Sequence, residues 1–211
     1  CQGDDGVLQA GGQAVLDEID RLAGADEFKA LAWEIADIAP EIRRTGTQEV
    51  FFNRCYLFSI GDGRGLTTCL SLLARLAGGL GLCHMSLSSV REERPSPRGE
   101  SADAFGDIIR ILENGSKKNV KVLCVDISEW MDRTESAPFK AFLRAAEKHS
   151  EEFIMVFRIP FVDKDVAERI RFSLNDLLSV RSVSFPPLSG DEIKQVAASE
   201  LARMRYSLTP P

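Results

Sequence analysis

The residues best placed to do chemistry are a glycine-rich run, Gly61-Asp62-Gly63-Arg64-Gly65-Leu66-Thr67-Thr68, and a single acid, Asp126. The run follows an apolar, strand-like stretch at 53–60 (NRCYLFSI). It precedes a helical pattern with Leu70, Leu73, Leu76 and Leu80 on one side and Gly78-Gly79 near its end. Glycines at a strand-to-helix turn let backbone N–H groups curl around an anion, and the helix N-terminus adds a favourable dipole. Two phosphate-binding motifs compete for the stretch. GxGxxG is met at Gly61 and Gly63, but its third position is Leu66, and the second strand pattern closes on Ser88, Ser89 and Val90 with no acid for a ribose. GxxxxGK[ST] is met at Gly65 and Thr67, with Thr68 following, but its first glycine is Ile60 and its lysine is Leu66. The alternative is a tight glycine turn that binds nothing.

Asp126 closes the clearest buried strand pattern, 119–126 (NVKVLCVD), where an acid would face such a turn and hold magnesium. The next residue is Ile127. Glu129 lies further on and faces the turn only if the chain bends there. A strand-end cap is the other reading of Asp126.

The elements that must position these residues alternate. A loose lead-in over 1–13 gives way to a helical pattern from Val15. Phe28, Leu31, Ile35, Ile38 and Ile42 then mark a second helix, with Pro40 late in it as an end or kink. Strands are expected at 53–60, 83–90, 119–126, 153–159 and 179–185, and helices at 104–112, around 139–146 and at 166–172. The stretch 91–100 (REERPSPRGE) reads as a polar loop. Ser189 and Glu192 form a capping box before a last helix carrying Ile193, Val196, Leu201 and Met204. Helix crossovers between apolar strands predict an α/β three-layer sandwich with a five-stranded, mostly parallel sheet, without internal repeat.

The chain has 211 residues, 44% apolar and 27% charged, which excludes disordered and low-complexity classes. No apolar run reaches the roughly 18 residues of a membrane span. A net charge of −6 gives no reason to expect nucleic acid or a membrane surface. Arg91, Arg94 and Arg98 alternate with Glu92, Glu93 and Glu100, so they form no basic patch. The five cysteines, Cys1, Cys55, Cys69, Cys83 and Cys124, show no CxxC or CxxH spacing, which points to a reducing, cytoplasmic setting. The chain opens on Cys1 without a signal-peptide pattern and reads as a fragment or a processed chain, which leaves a leader upstream open. His84 and His149 have no ligand spacing for a metal. Cys83 and His84 are neighbours on a strand pattern and point to opposite faces, so they make no nucleophile–base pair. Trp130-Met131 reads as core packing.

The order of these features resembles AAA+ proteins of the red-type Rubisco activase and sporulation protein K group. Residues 16–35 (LDEIDRLAGADEFKALAWEI) resemble that group's segment before the first strand. LFSIGDGRGLTT lies where the group reads LFTGNPGTGKTT. Residues 179–197 (SVRSVSFPPLSGDEIKQVA) resemble its last strand, proline-containing link and first lid helix. The resemblance spans Leu16 to about Leu201. It implies a loose segment over 1–14, a base domain over 15–188 and the start of a helical lid over 189–211, with the lid largely absent. It also implies a nucleotide site at Gly61, Gly63, Arg64, Gly65, Leu66, Thr67, Thr68 and Asp126.

The catalytic letters of the group are missing. A lysine in place of Leu66 would contact phosphates, and losing one charge-assisted contact costs about 1.5–3 kcal/mol. A glutamate in place of Ile127 would activate water, and its loss costs about 10²–10⁴ in rate. The loop at 91–100 has no aromatic–hydrophobic–glycine pore element. The fourth strand ends Arg158-Ile159-Pro160 without a polar sensor, and Arg169, Arg171 and Arg181 match no arginine-finger motif. The resemblance therefore implies a degenerate domain that serves as a nucleotide-sensing, scaffold or regulatory subunit. ATP or ADP with magnesium would bind weakly or not at all. Protein partners would include other AAA+ subunits in a homo- or hetero-oligomer, with no nucleic acid and no membrane. Two alternatives stand beside it: an active ATPase using Arg64 and Glu129, and an α/β interaction domain that binds no nucleotide.

Overall fold

The structure, a computed structural model, describes residues 2–47, 51, 53–83, 90–96, 104–114 and 122–203. Five strands form one sheet: β1 (Arg54–Ile60), β2 (Val90–Glu93), β3 (Val122–Asp126), β4 (Ile154–Ile159) and β5 (Ser179–Phe185). Their order is β2-β3-β4-β1-β5, and every pairing is parallel. Helices α1 (Gln2–Asp20), α2 (Asp26–Thr45) and α3 (Leu66–Gly79) cover one face. Helices α4 (Gly106–Asn114), α5 (Ala137–Lys148) and α6 (Lys164–Asn175) cover the other, and α7 (Gly190–Arg203) follows β5. The α/β three-layer class with a parallel five-stranded sheet is therefore as the alternation predicts.

Strand alternation divides the core. Tyr56, Phe58, Ile60, Cys124, Val156 and Phe185 point to the α1–α3 side, while Cys55, Leu57, Leu123, Val125, Phe157 and Ile159 point to the α4–α6 side. On the second side Phe105, Phe139, Phe142 and Phe157 meet ring to ring, and Trp130 joins them as the core residue its sequence context suggests. Sheets buried on both faces read as continuous apolar runs, which is why β1, β3 and β4 are visible in the sequence.

Three expectations need correction. The first helix begins at Gln2, not at Val15. Gly11 and Gly12, read as signs of a loose segment, are where α1 approaches α3: a Cβ on Gly79 would lie 3.0 Å from the Gly11 carbonyl carbon and from the Gly12 nitrogen. The second strand, Val90–Glu93, begins on the last residue of the expected strand and runs on through 91–93, the start of the stretch read as a polar loop, while residues 84–89 of the expected strand, His84 among them, lie outside the described residues. An edge strand pairs on one side only and accepts charges that an interior strand would reject. Helix α2 runs on through Pro40 to Thr45. It stops where Gly46 takes φ 70° and donates its N–H to the Ile42 carbonyl.

Strand β1 is interior, between β4 and β5. From it the chain crosses the α1–α3 face, through α3, to the far edge at β2. From β4 it crosses the opposite face, through α6, to β5. The carboxyl ends of β1 and β4 thus flank a point where the connections part, and such a point opens a crevice suited to ligands.

Candidate functional site

The glycine turn forms one wall of this crevice. Gly63 and Gly65 have φ 68° and 82°, a backbone region that glycine enters at little cost, and Gly65 caps α3. No acidic residue stands in the first turn of α3 and no side chain caps it, so its N-terminal dipole is uncompensated by its own helix. A cavity of about 300 Å³ is lined by Gly61, Asp62, Gly63, Gly65, Leu66, Thr67, Glu92 and Arg158. On the other side of the turn lies a more apolar cleft of about 260 Å³, bounded by Leu22, Gly24, Arg64, Thr68, Phe185 and Leu188.

Most of the site residues expected from sequence meet here. Leu66 is half-buried, packed against the core of the α1–α3 face, and offers no donor to the cavity it lines. The Thr67 hydroxyl donates to Glu92 Oε1 at 2.7 Å. Arg64 extends away from the first cavity, and its Nη2 donates to the Pro186 carbonyl at 2.8 Å. Thr68 lines the apolar cleft, not the polar cavity. Asp126 stands at the end of β3 and accepts from the Ser128 N–H at 3.0 Å and from the Ser128 hydroxyl.

Arg158, at the end of β4, connects these pieces and was noted from sequence only as a departure from a motif. Its side chain is 8% exposed. Its Nη1 donates to Asp126 Oδ2 at 3.0 Å and to Ser128 Oγ at 3.1 Å. Its Nη2 donates to the Ile60 carbonyl at 3.0 Å and to Asp62 Oδ1 at 2.6 Å. One guanidinium thus joins the ends of β1, β3 and β4 to the turn. The signal was present: an arginine inside the otherwise apolar run FIMVFRI cannot be buried without a carboxylate partner. Beside it, Ser59 accepts from the Val162 N–H at 3.2 Å and donates to the Pro160 carbonyl at 3.3 Å, a second stitch between β1 and the segment after β4.

The remaining candidates are engaged elsewhere. Glu129 Oε1 pairs with Arg94 Nη2 at 2.8 Å. Arg171 pairs with Glu168 at 2.7 Å and lies over the Phe172 ring, Arg181 pairs with Glu34, and Arg169 lines a separate cavity beside Met131. His149 Nδ1 lies 3.0 Å from Glu152. Burial pushes the Cys55 and Cys69 thiols up to about 12, and Cys124 higher still, so none of the three supplies a thiolate near neutral pH. Among the described residues no three His, Cys, Asp or Glu side chains cluster as a metal site, and no helix is long and apolar enough to cross a membrane.

No protein-family model matches this chain, and no curated protein matches it. Among solved structures, "Structure of C. elegans PCH-2" is similar at 12% identity with a TM-score of 0.48. The overlap covers 84% of this chain and 48% of that one, so this chain spans about half its length.

Proposed function

We propose that this chain is an AAA+-like base domain that does not hydrolyse ATP and acts through protein partners, as a scaffold or regulatory subunit alongside other AAA+ subunits. The red-type Rubisco activase and sporulation protein K resemblance is part of this proposal and rests on the sequence segments quoted for it. So does the division into a base domain over 15–188 and the start of a lid over 189–211, set in the cytoplasm.

The observation that carries the reading is the pairing of Arg158 with both Asp126 and Asp62, opposite a leucine at position 66. A magnesium triphosphate needs a cation at the turn, a free hydroxyl and a free acid for the metal. The residues present do not fit it. Leu66 has no charge, the Thr67 hydroxyl is given to Glu92, and Asp126 is held by Arg158 and Ser128. Asp62 and Glu92 line the same cavity with the charge sign of a phosphate, while the cation among its lining residues, Arg158, is already paired. An ATPase working through Arg64 and Glu129 is not favoured, because Arg64 donates to Pro186 and Glu129 pairs with Arg94.

The test is calorimetric titration with MgATP alongside a phosphate-release assay. The expected result is no turnover above background and no binding tighter than about 1 mM, or −4.1 kcal/mol. Steady multiple-turnover phosphate release would refute the proposal.

A further inference from the structure

We infer that Arg158 is a built-in lock on the glycine turn. It supplies from inside the protein the positive charge that holds the turn in place, so that the shape of the turn does not depend on any bound anion or metal. The inference rests on the reading that the crevice is not a working triphosphate site, and it makes a separate claim about that site's state.

The geometry is specific. A turn with glycines at φ 68° and 82° has little stiffness of its own and needs outside contacts to hold one conformation. Two such contacts come from one side chain. Arg158 Nη2 reaches the Ile60 carbonyl, the last of β1, and Asp62 Oδ1, the first side chain of the turn. The other end of the same guanidinium is fixed by Asp126 and Ser128 on the neighbouring strand end. Asp62 is otherwise in water, its side chain 97% exposed, so it anchors the turn from outside while Arg158 is held from within. A planar guanidinium with five donors suits this role, since one group satisfies two carboxylates, a hydroxyl and a carbonyl at once. Each acceptor belongs to the protein, so holding the turn calls for no added ligand.

The test is amide hydrogen exchange across residues 61–66 in the wild-type protein, in Asp62→Asn and in Arg158→Met, with calorimetry of the wild type against MgATP. Charge-assisted bonds of this kind correspond to about tenfold or more in an opening equilibrium. Exchange in the turn is therefore expected to quicken about tenfold or more in Arg158→Met, and by up to about fivefold in Asp62→Asn, whose carboxylate is exposed. In Asp62→Asn, exchange in β3 and β5 stays at wild-type rates, because the Arg158–Asp126 pair survives. Inorganic phosphate or MgATP leaves the wild-type turn unchanged. Should Arg158→Met fail to fold, Asp62→Asn decides alone. Wild-type exchange in the turn of Asp62→Asn, or wild-type turn protection that rises on adding phosphate, would overturn the lock. Quickened exchange together with tight MgATP binding to the wild type would leave the lock standing and defeat the proposed function instead.

Discussion

Replacing Arg158 by methionine should be among the most destabilising single changes in this chain, and the structure sets its size. The side chain is 8% exposed and Asp126 21% exposed, so their contact at 3.0 Å is largely shielded from water. Removing one partner of a buried pair costs about 3–5 kcal/mol, because the other charge stays buried and uncompensated. Asp126 keeps two donors from Ser128, which lowers the cost. The Ile60 carbonyl loses its side-chain donor, which adds about 1–3 kcal/mol if no water replaces it. The bond to the exposed Asp62 adds at most about 1 kcal/mol. The expected loss for Arg158→Met is thus about 3–5 kcal/mol, and for Asp62→Asn less than about 1 kcal/mol. For a domain of this size each kcal/mol moves Tm by about 2–4 °C, so Arg158→Met should fall by about 6–20 °C. Urea denaturation of wild type, Arg158→Met, Asp126→Leu and the double variant gives the cycle. A shared buried pair predicts a coupling of about 1–3 kcal/mol at unchanged m-value. Additive single effects, or a loss under about 1 kcal/mol for Arg158→Met, would refute the buried pairing of Arg158 with Asp126 as the support of the crevice.

Two further outcomes follow from the same geometry. Gly65→Ala should lose about 1–2 kcal/mol in urea denaturation, because φ 82° strains any L side chain although its Cβ would meet nothing nearer than Thr68 at 3.9 Å. Gly61→Ala, with no positive φ and a Cβ 3.4 Å from the Arg64 stem, should stay within about 0.5 kcal/mol of wild type. Glu34, on α2, is held below the usual carboxylate range chiefly by the Arg181 hydrogen bond, with Arg54 adding to it. A depressed folded-state value stabilises the protein above the unfolded value and loses that stabilisation as pH falls through the folded one. The Tm difference between wild type and Glu34→Gln should therefore be present at neutral pH and shrink below the ordinary carboxylate range. A difference that is constant or grows in acid would contradict the assignment.

How much of this was legible in the sequence depends on what each residue had to satisfy. The expected bounds of β5 and the capping box at Ser189 and Glu192 match the structure, the latter with reciprocal bonds of 2.7 and 3.3 Å. Both are local signals: a short stretch in which Val180, Val183 and Phe185 alternate with polar residues, and a motif that names its own partners. Residues 91–93 of β2 read as loop in the sequence because the charged edge segment Arg91-Glu92-Glu93 carries no burial pattern. The N-terminal part of α1 was missed because glycine's low helix propensity is a local fact, whereas the close approach of Gly11 and Gly12 to Gly79 is a tertiary one. The role of Arg158 was hidden for the same reason. Its acceptors lie 32, 30, 98 and 96 positions away along the chain, and only the strand order β3-β4-β1 brings them together.

That strand order also explains what places the glycine turn. The turn is placed by β1, which is paired on both sides, and by α3, whose Leu70, Leu73 and Leu76 are in the core. Those contacts are strand pairing and core packing, so the turn's position is set by the fold while the charge around it is set separately. Measured against the GxxxxGK[ST] pattern, the crevice lacks a cation at position 66 and holds one at position 158. At 66, on the first turn of a helix, a cation would face an incoming anion. At 158, on a strand between β1 and β3, it faces Asp126 and Asp62 instead. The positive charge has the same sign in both places, but at 158 it is spent on the protein's own carboxylates. A single substitution at 66 would therefore leave two acids and a committed arginine in the cavity, and building an anion site there would require changing both ends of the crevice together.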